Sequence, residues 1–370
     1  MKKNFLTSRF CFAILSCLVS ILVAAQPDTW QSKAGGYGNI SQFAFSINGK
    51  GYFGLGPASP EVWEYDAALD VWTQKADFPG ALRNGTASFA TTSKGYVGTG
   101  TTSDFFGTWL NDFWEFDPVA NSWTARATFP GGVRYNGTGF SIGAKGYIGM
   151  GYNGSYLNDL WEYDPASDTW TAKANLPSAG REGPFSFSAA GMGYVGTGKT
   201  DFFGPWTNDF WQYNPGTDSW VRKADFTTLP RWGATGGAIG NRGFAGGGYD
   251  NVGFVFLNDF WEYDPASDTW IQRANLGGGV RSGGQTFSIG GKLFLGMGGN
   301  PSQLFDLWEY TPTGGMATPP AISSFAPISG PVGTTVTITG TNFSATPANN
   351  IVYFGATRAT VTACLLYTSD

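Results

Sequence analysis

The sequence contains no histidine at all. That removes histidine general acid–base chemistry, histidine-dependent nucleophilic triads and histidine-ligated metals. Cysteine is almost absent: Cys11 and Cys17 lie in an N-terminal apolar segment and Cys364 near the other end. Nothing between them can be held by a disulfide. Charge is sparse too, with 13% of residues charged and a formal net charge of −5, which argues against nucleic acid as the main partner. Gly-Thr-Gly and Gly-Gly-Gly runs occur without a following helix, so they are not phosphate loops. The Asp residues fall at turn positions with no calcium-loop spacing. No cofactor, no metal site and no catalytic residue is expected on these grounds.

Glycine and aromatics fill the space instead. There are 55 Gly, 15 Trp, and 16% aromatics in 370 residues. That mixture suits short strands and tight turns. Residues 1–25 read as an export signal: Lys2, Lys3 and Arg9, then the apolar run Phe10–Val23, then Ala24 and Ala25. The run is short for a membrane span. The chain is therefore expected to be secreted or at the cell surface, with no transmembrane span once the signal is removed.

A repeat of about 50 residues organises most of the chain. Trp63, Trp114, Trp161, Trp211, Trp261 and Trp308 each open a Trp-Glu/Gln-Tyr/Phe triplet, at spacings of 51, 47, 50, 50 and 47. The first five are followed nine residues later by Trp72, Trp123, Trp170, Trp220 and Trp270. The sixth has no such partner downstream. Asp28-Thr29-Trp30 supplies it, in the same register as Asp168-Thr169-Trp170 and Asp268-Thr269-Trp270. The chain thus begins with the last strand of a repeat and ends the array with the first three. That closes a ring and leaves no open sheet edge. The expected fold is all-β, a six-bladed propeller with four strands, a to d, per blade. In the third repeat these are about 137–142, 145–150, 159–163 and 169–173, with a Pro-containing turn at Asp164–Ser167.

Arg181-Glu182-Gly183, then Gly193-Tyr194-Val195-Gly196-Thr197-Gly198, then Asn208-Asp209-Phe210-Trp211-Gln212-Tyr213 with Trp220, resemble the Kelch repeat family. The resemblance covers about residues 28–312. It implies the propeller fold but no particular activity. Residues 314–321 read as a linker. Residues 322–363 resemble the start of an IPT/TIG immunoglobulin-like domain, too short for its seven strands. Residues 364–370 do not continue that pattern. The propeller (26–313) is expected to be a monomeric unit within a larger chain.

Strand alternation puts the b–c loops and d–a connections on one face. Three Trp stand outside the repeat, Trp109, Trp206 and Trp232, and all fall on that face. With them come Phe105, Phe106, Tyr152, Tyr156, Phe202, Phe203, Phe254 and Phe256. The d–a connections deliver Arg83, Arg134, Arg181, Arg231 and Arg281, with Asn39 in that register in the first repeat. The resemblance implies that Arg here lines the pore mouth and holds acidic groups. These sixteen aromatic and arginine residues form the expected site, and its ligand is expected to be an extracellular glycan or a peptide. Two structural alternatives stand beside this. The arginines can pair with the equally regular Glu61, Asp112, Asp159, Asp209, Asp259 and Asp306, and the aromatic loops can pack on themselves. Some bacterial relatives implied by the resemblance isomerise sialic acids with an Arg and an acid. Glu182, beside Arg181, is the residue that would serve such a sugar-modifying alternative. A plain spacer is the remaining reading.

Overall fold

The computed structural model describes residues 28–35, 42–103, 107–202, 206–226, 229–250 and 252–312, and the short stretches 321–327, 335–341, 352–354 and 357–359. Six four-stranded antiparallel sheets follow one another. Blade 1 consists of Phe43–Ile47, Lys50–Gly54, Val62–Asp66 and Val71–Gln74. Blade 3 consists of Thr138–Ile142, Lys145–Gly149, Leu160–Asp164 and Thr169–Lys173, within a residue or so of the expected bounds. Blade 6 has three consecutive strands, Gln285–Ile289, Lys292–Gly296 and Leu307–Thr311. Its fourth is Thr29–Ser32, paired Thr29 to Thr311 and Ser32 to Trp308. The a strands of blades 6 and 1 then touch, completing the ring.

Each a strand separates its two faces cleanly. In blade 1, Phe43, Phe45 and Ile47 are buried while Ala44 and Ser46 face the central channel. The channel has a volume of about 450 Å³ and is lined by small residues, among them Ser88, Ser186, Ser188 and Ser288. Two of these hydroxyls bond the preceding blade: Ser186 Oγ donates to the Gly139 carbonyl (3.0 Å) and Ser288 Oγ to the Ala238 carbonyl (2.5 Å). The a–b turns are two-residue hairpins. Asn48 and Gly49 both take positive φ (52° and 75°), as the tight turn matching strand twist requires.

Blades are joined by a repeated latch. In blade 3, the Trp170 ring lies 4.8 Å from Phe113 and 5.0 Å from Phe129 of blade 2. Its indole N–H donates to the Ala127 carbonyl (2.9 Å), and Asp168 accepts from the Ala127 N–H (2.9 Å) and the Tyr163 hydroxyl (2.7 Å). Asp70, Asp218 and Asp268 repeat the arrangement, and Asn121 takes the N–H of Ala76. Trp30 closes the circle by donating to the Ala274 carbonyl (3.2 Å).

Beyond the propeller, Ala321–Ala326 pairs with Thr337–Thr341, and Val352–Phe354 with Thr357–Ala359. Among the described residues no helix is long and apolar enough to cross a membrane.

Candidate functional site

The five arginines do not line the pore mouth. Each arrives on a d–a connection and turns inward, under the end of its own blade. Their exposure is at most 1%. Arg134 grips Asp159 with two parallel bonds of 2.6 and 2.7 Å and donates to the Met150 carbonyl (2.9 Å). The Phe129 ring lies 4.7 Å from its guanidinium carbon. Asp159 in turn accepts from the Trp161 indole (2.9 Å). The same Arg–Asp–Trp triad is built by Arg83–Asp112–Trp114, Arg181–Asp209–Trp211, Arg231–Asp259–Trp261 and Arg281–Asp306–Trp308. Burial alone would raise the Asp112 and Asp209 carboxyls. The hydrogen bonds from Arg83 and Arg181, helped by the Trp indoles, outweigh it and hold both well below the usual range. The expectation that these arginines hold acidic ligand groups is therefore corrected. A fully buried bidentate fork already closed on a carboxylate, with a further bond to a backbone carbonyl, has little to offer a ligand. In the first repeat Asn39 lies outside the described residues, and Glu61 takes the Trp63 indole (3.3 Å).

Two positions before the channel-lining Thr86, Gly137, Pro184, Ala234 and Gly284 stands the residue after each Arg, in turn Asn84, Tyr135, Glu182, Trp232 and Ser282. Each pairs with the residue seventeen positions on, giving Asn84–Thr101, Tyr135–Tyr152, Glu182–Lys199, Trp232–Tyr249 and Ser282–Gly299. The next residue along locks to the neighbouring blade. The N–H groups of Asn136, Gly183, Gly233 and Gly283 donate to the carbonyls of Gly85, Asn136, Gly183 and Gly233, at 2.8–3.0 Å. Gln42 joins through its side chain, which accepts from the Gly85 N–H (2.7 Å). A backbone collar thus holds the mouth of the channel; of its five different side chains Glu182 and Ser282 are buried, and Asn84, Tyr135 and Trp232 are half-buried. Sequence reasoning singled out Trp232 and Glu182 but missed Asn84, Tyr135 and Ser282. The signal was there: a changing residue directly after an unchanging one.

Around Glu182 the aromatics form two groups. Trp109, Tyr135 and Tyr152 lie with ring centres 5.9–6.3 Å apart, and Tyr156 lies 5.0 Å beyond Tyr152. On the other side Trp206 lies 6.1 Å from Tyr249, which lies 4.9 Å from Phe256. Trp232 packs its indole nitrogen against Gly183, where a Cβ would stand 2.2 Å from it. Phe202 is 64% exposed with the Lys199 ammonium 4.3 Å from its ring, and Phe254 is 72% exposed. Phe105, Phe106 and Phe203 lie outside the described residues.

Glu182 is 4% exposed. Its Oε1 is 3.3 Å from Lys199 Nζ, and its Oε2 has no hydrogen-bond partner among the described residues. The buried indole nitrogens of Trp206 and Trp232 are in the same position. Burial and then the Glu182 charge push the Tyr156 hydroxyl up to about 12 and raise Tyr135 as well. The opposite face is plainer. Lys94–Asp117, Lys145–Asp164 and Arg242–Asp264 tie its short turns blade by blade.

The Kelch motif model matches residues 146–177, which span strands b to d of blade 3 and the turn after them. Blade 3 thus carries a Kelch motif, in a six-bladed propeller whose other blades repeat its strand pattern. An IPT/TIG domain model matches residues 320–370. A solved structure titled "Structure of YjhT" superposes with a TM-score of 0.64 at 18% identity, covering 74% of this chain and 95% of that one. At that identity the likeness is one of fold. No curated protein matches the sequence.

Proposed function

We propose that the Kelch ring is an exported, non-catalytic recognition module that binds a glycan or an extended peptide on the face of the b–c loops and d–a connections. One observation carries the reading. The collar and the Arg–Asp–Trp triads repeat nearly unchanged, while the five residues they present differ in every blade. Structural constraint alone repeats with the blade. Variation on a fixed frame is what a surface fitted to one ligand needs. The Trp and Tyr rings beside it suit sugar faces or peptide side chains. The N-terminal leader supports display outside the cell.

The test is binding of the full secreted chain to an array of glycans and peptides, beside Trp232→Ala and Tyr135→Ala. The reading expects a defined ligand set that both variants lose. Absence of any ligand, or binding equal in all three proteins, overturns it. The buried Glu182 favours a second reading, proton transfer to a bound sugar. Exchange spectroscopy on the anomeric signals of each array ligand tests it, with Glu182→Gln as the control.

A further inference from the structure

Resting on that reading of the face, we propose that Glu182 and Trp232 hold the hydroxyl groups of an uncharged saccharide, so that the ligand is a neutral glycan and not an acidic one.

Among the described residues Glu182 Oε2 accepts no bond within 3.5 Å, on a side chain 4% exposed, and the Tyr135 hydroxyl is the donor that interacts with this carboxylate. Buried polar atoms are nearly always paired, because an unpaired one loses its water contacts and gains nothing. In the next blade, the Trp232 indole is a buried donor with no acceptor among the described residues, and Trp206 beside Tyr249 is another. Neighbouring unmet needs of opposite kind narrow the chemistry. An ammonium group would satisfy the carboxylate but not the indoles. A carboxylate or phosphate would satisfy the indoles and be repelled by Glu182. A hydroxyl donates and accepts at once, and a sugar carries several at the spacing of adjacent side chains.

The cations agree. Five arginines are closed on aspartates inside the blades, and Lys199 is committed to Glu182. The face therefore has a buried carboxylate and no arginine of the ring turned toward an anion. Tyr135 and Tyr156 flank that carboxylate closely enough to feel its charge, offering rings to the apolar faces of a sugar.

The experiment is calorimetric titration of the full chain with three probes: cellotetraose and maltotetraose, both uncharged, and tetragalacturonate, which carries carboxylates. The glycan array supplies further uncharged and acidic probes in the same assay. Wild type, Glu182→Gln and Trp232→Phe are compared, with melting temperature as the folding control. Gln keeps the size of Glu and removes its charge, and Phe keeps a ring and removes the N–H. Uncharged glycans should bind best, and each variant should lose at least tenfold in affinity with its melting temperature unchanged. Preference for acidic glycans overturns the inference. So does affinity unchanged in both variants, the result a sealed internal water at Glu182 would give. In either case glycan binding itself still supports the wider reading of the face. If no glycan binds wild type, that wider reading fails as well for sugars. Should one variant not fold, the other decides.

Discussion

Leu293 of blade 6 fills the space that Gly237 of blade 5 leaves empty: its Cδ1 lies 2.7 Å from where a Cβ on Gly237 would stand. At the other blade interfaces the sizes are reversed. The central Phe of strand a presses on a Gly opening strand b of the next blade, as Phe89 does on Gly146, where a Cβ would sit 1.9 Å from the ring. Phe45 on Gly95, Phe140 on Gly193, Phe187 on Gly243 and Phe287 on Gly51 repeat it. Blades 5 and 6 have exchanged the large and the small partner while keeping the contact filled, as a close-packed interior demands.

The exchange predicts strong coupling. Leu293→Ala should cost about 2–5 kcal/mol, the usual range for a buried Leu truncated to Ala. Gly237→Phe alone should be worse, because the ring meets Leu293. Gly237→Phe with Leu293→Gly restores the arrangement of the other five interfaces and should recover much of the loss. Denaturant unfolding of the four proteins checks this. Losses that simply add would contradict it.

The triads make a second prediction. Arg134→Ala leaves Asp159 without its fork and opens a space against Phe129, so a loss of about 3–5 kcal/mol is expected. Arg134→Lys should recover only part of it, since an ammonium cannot make two parallel bonds to the carboxylate and one to the Met150 carbonyl in the same geometry. Thermal melts of both variants decide. A neutral Arg134→Ala substitution would contradict the structural role.

Stability of the propeller should be flat between about pH 5 and 9, where residues 28–312, without histidine or cysteine, have no side chain titrating near its ordinary value. Below that, Asp112 and Asp209 matter. Their folded values lie below the unfolded one, because the Arg and Trp bonds outweigh burial. Their stabilisation is present above about pH 4 and is lost as pH falls. Above, the buried tyrosines matter. Burial, followed by bonds to Asp70, Asp168, Asp218 and Asp268, raises Tyr65, Tyr163, Tyr213 and Tyr263 over the unfolded value. Their contribution is present below about pH 10 and is lost as pH rises. Tyrosinate absorbance of these residues should appear together with loss of the near-ultraviolet circular dichroism. Their ionisation in a still-native protein, or a stability step near pH 6–7, would contradict this.

The latch makes the fourth. Asp168→Ala removes an acceptor from both the Tyr163 hydroxyl and the Ala127 N–H, and should cost about 1–3 kcal/mol for two partly buried groups left unpaired. Asp168→Asn keeps an acceptor in place, as Asn121 does for Ala76 in the second blade. It should lose less. Equal losses would mean that charge, not hydrogen bonding, holds the blades together.

Blade number, strand limits and ring closure were legible because Trp positions recurring every 47–51 residues fix the register of everything between them. Trp30 could be assigned to the last blade because Asp28-Thr29-Trp30, followed by Lys33-Ala34, matches Asp168-Thr169-Trp170 followed by Lys173-Ala174. Side-chain direction was not legible. Arg and Asp residues keeping step through five repeats are equally compatible with a ligand-facing ring and with internal pairs. Only the path of the d–a connection, which turns each Arg under the end of strand b, separates the two. The same regularity hid the site. Arg drew attention because it repeats, whereas Tyr135 and Trp232 matter because they do not. Gly237 and Leu293 each break the pattern in the sequence, and only their contact makes the two breaks one event.

The central claim is that recognition occurs at the mouth, on the collar, and not in the channel or on the opposite turns. Hydrogen exchange of the full chain, with and without the tightest-binding array ligand, tests it most directly. Protection should concentrate at residues 84–85, 135–136, 182–183, 232–233 and 282–283 and at their partners near 101, 152, 199, 249 and 299. Protection centred on the c–d turns, such as 66–70 and 164–168, or on the channel-facing a strands alone, would contradict it.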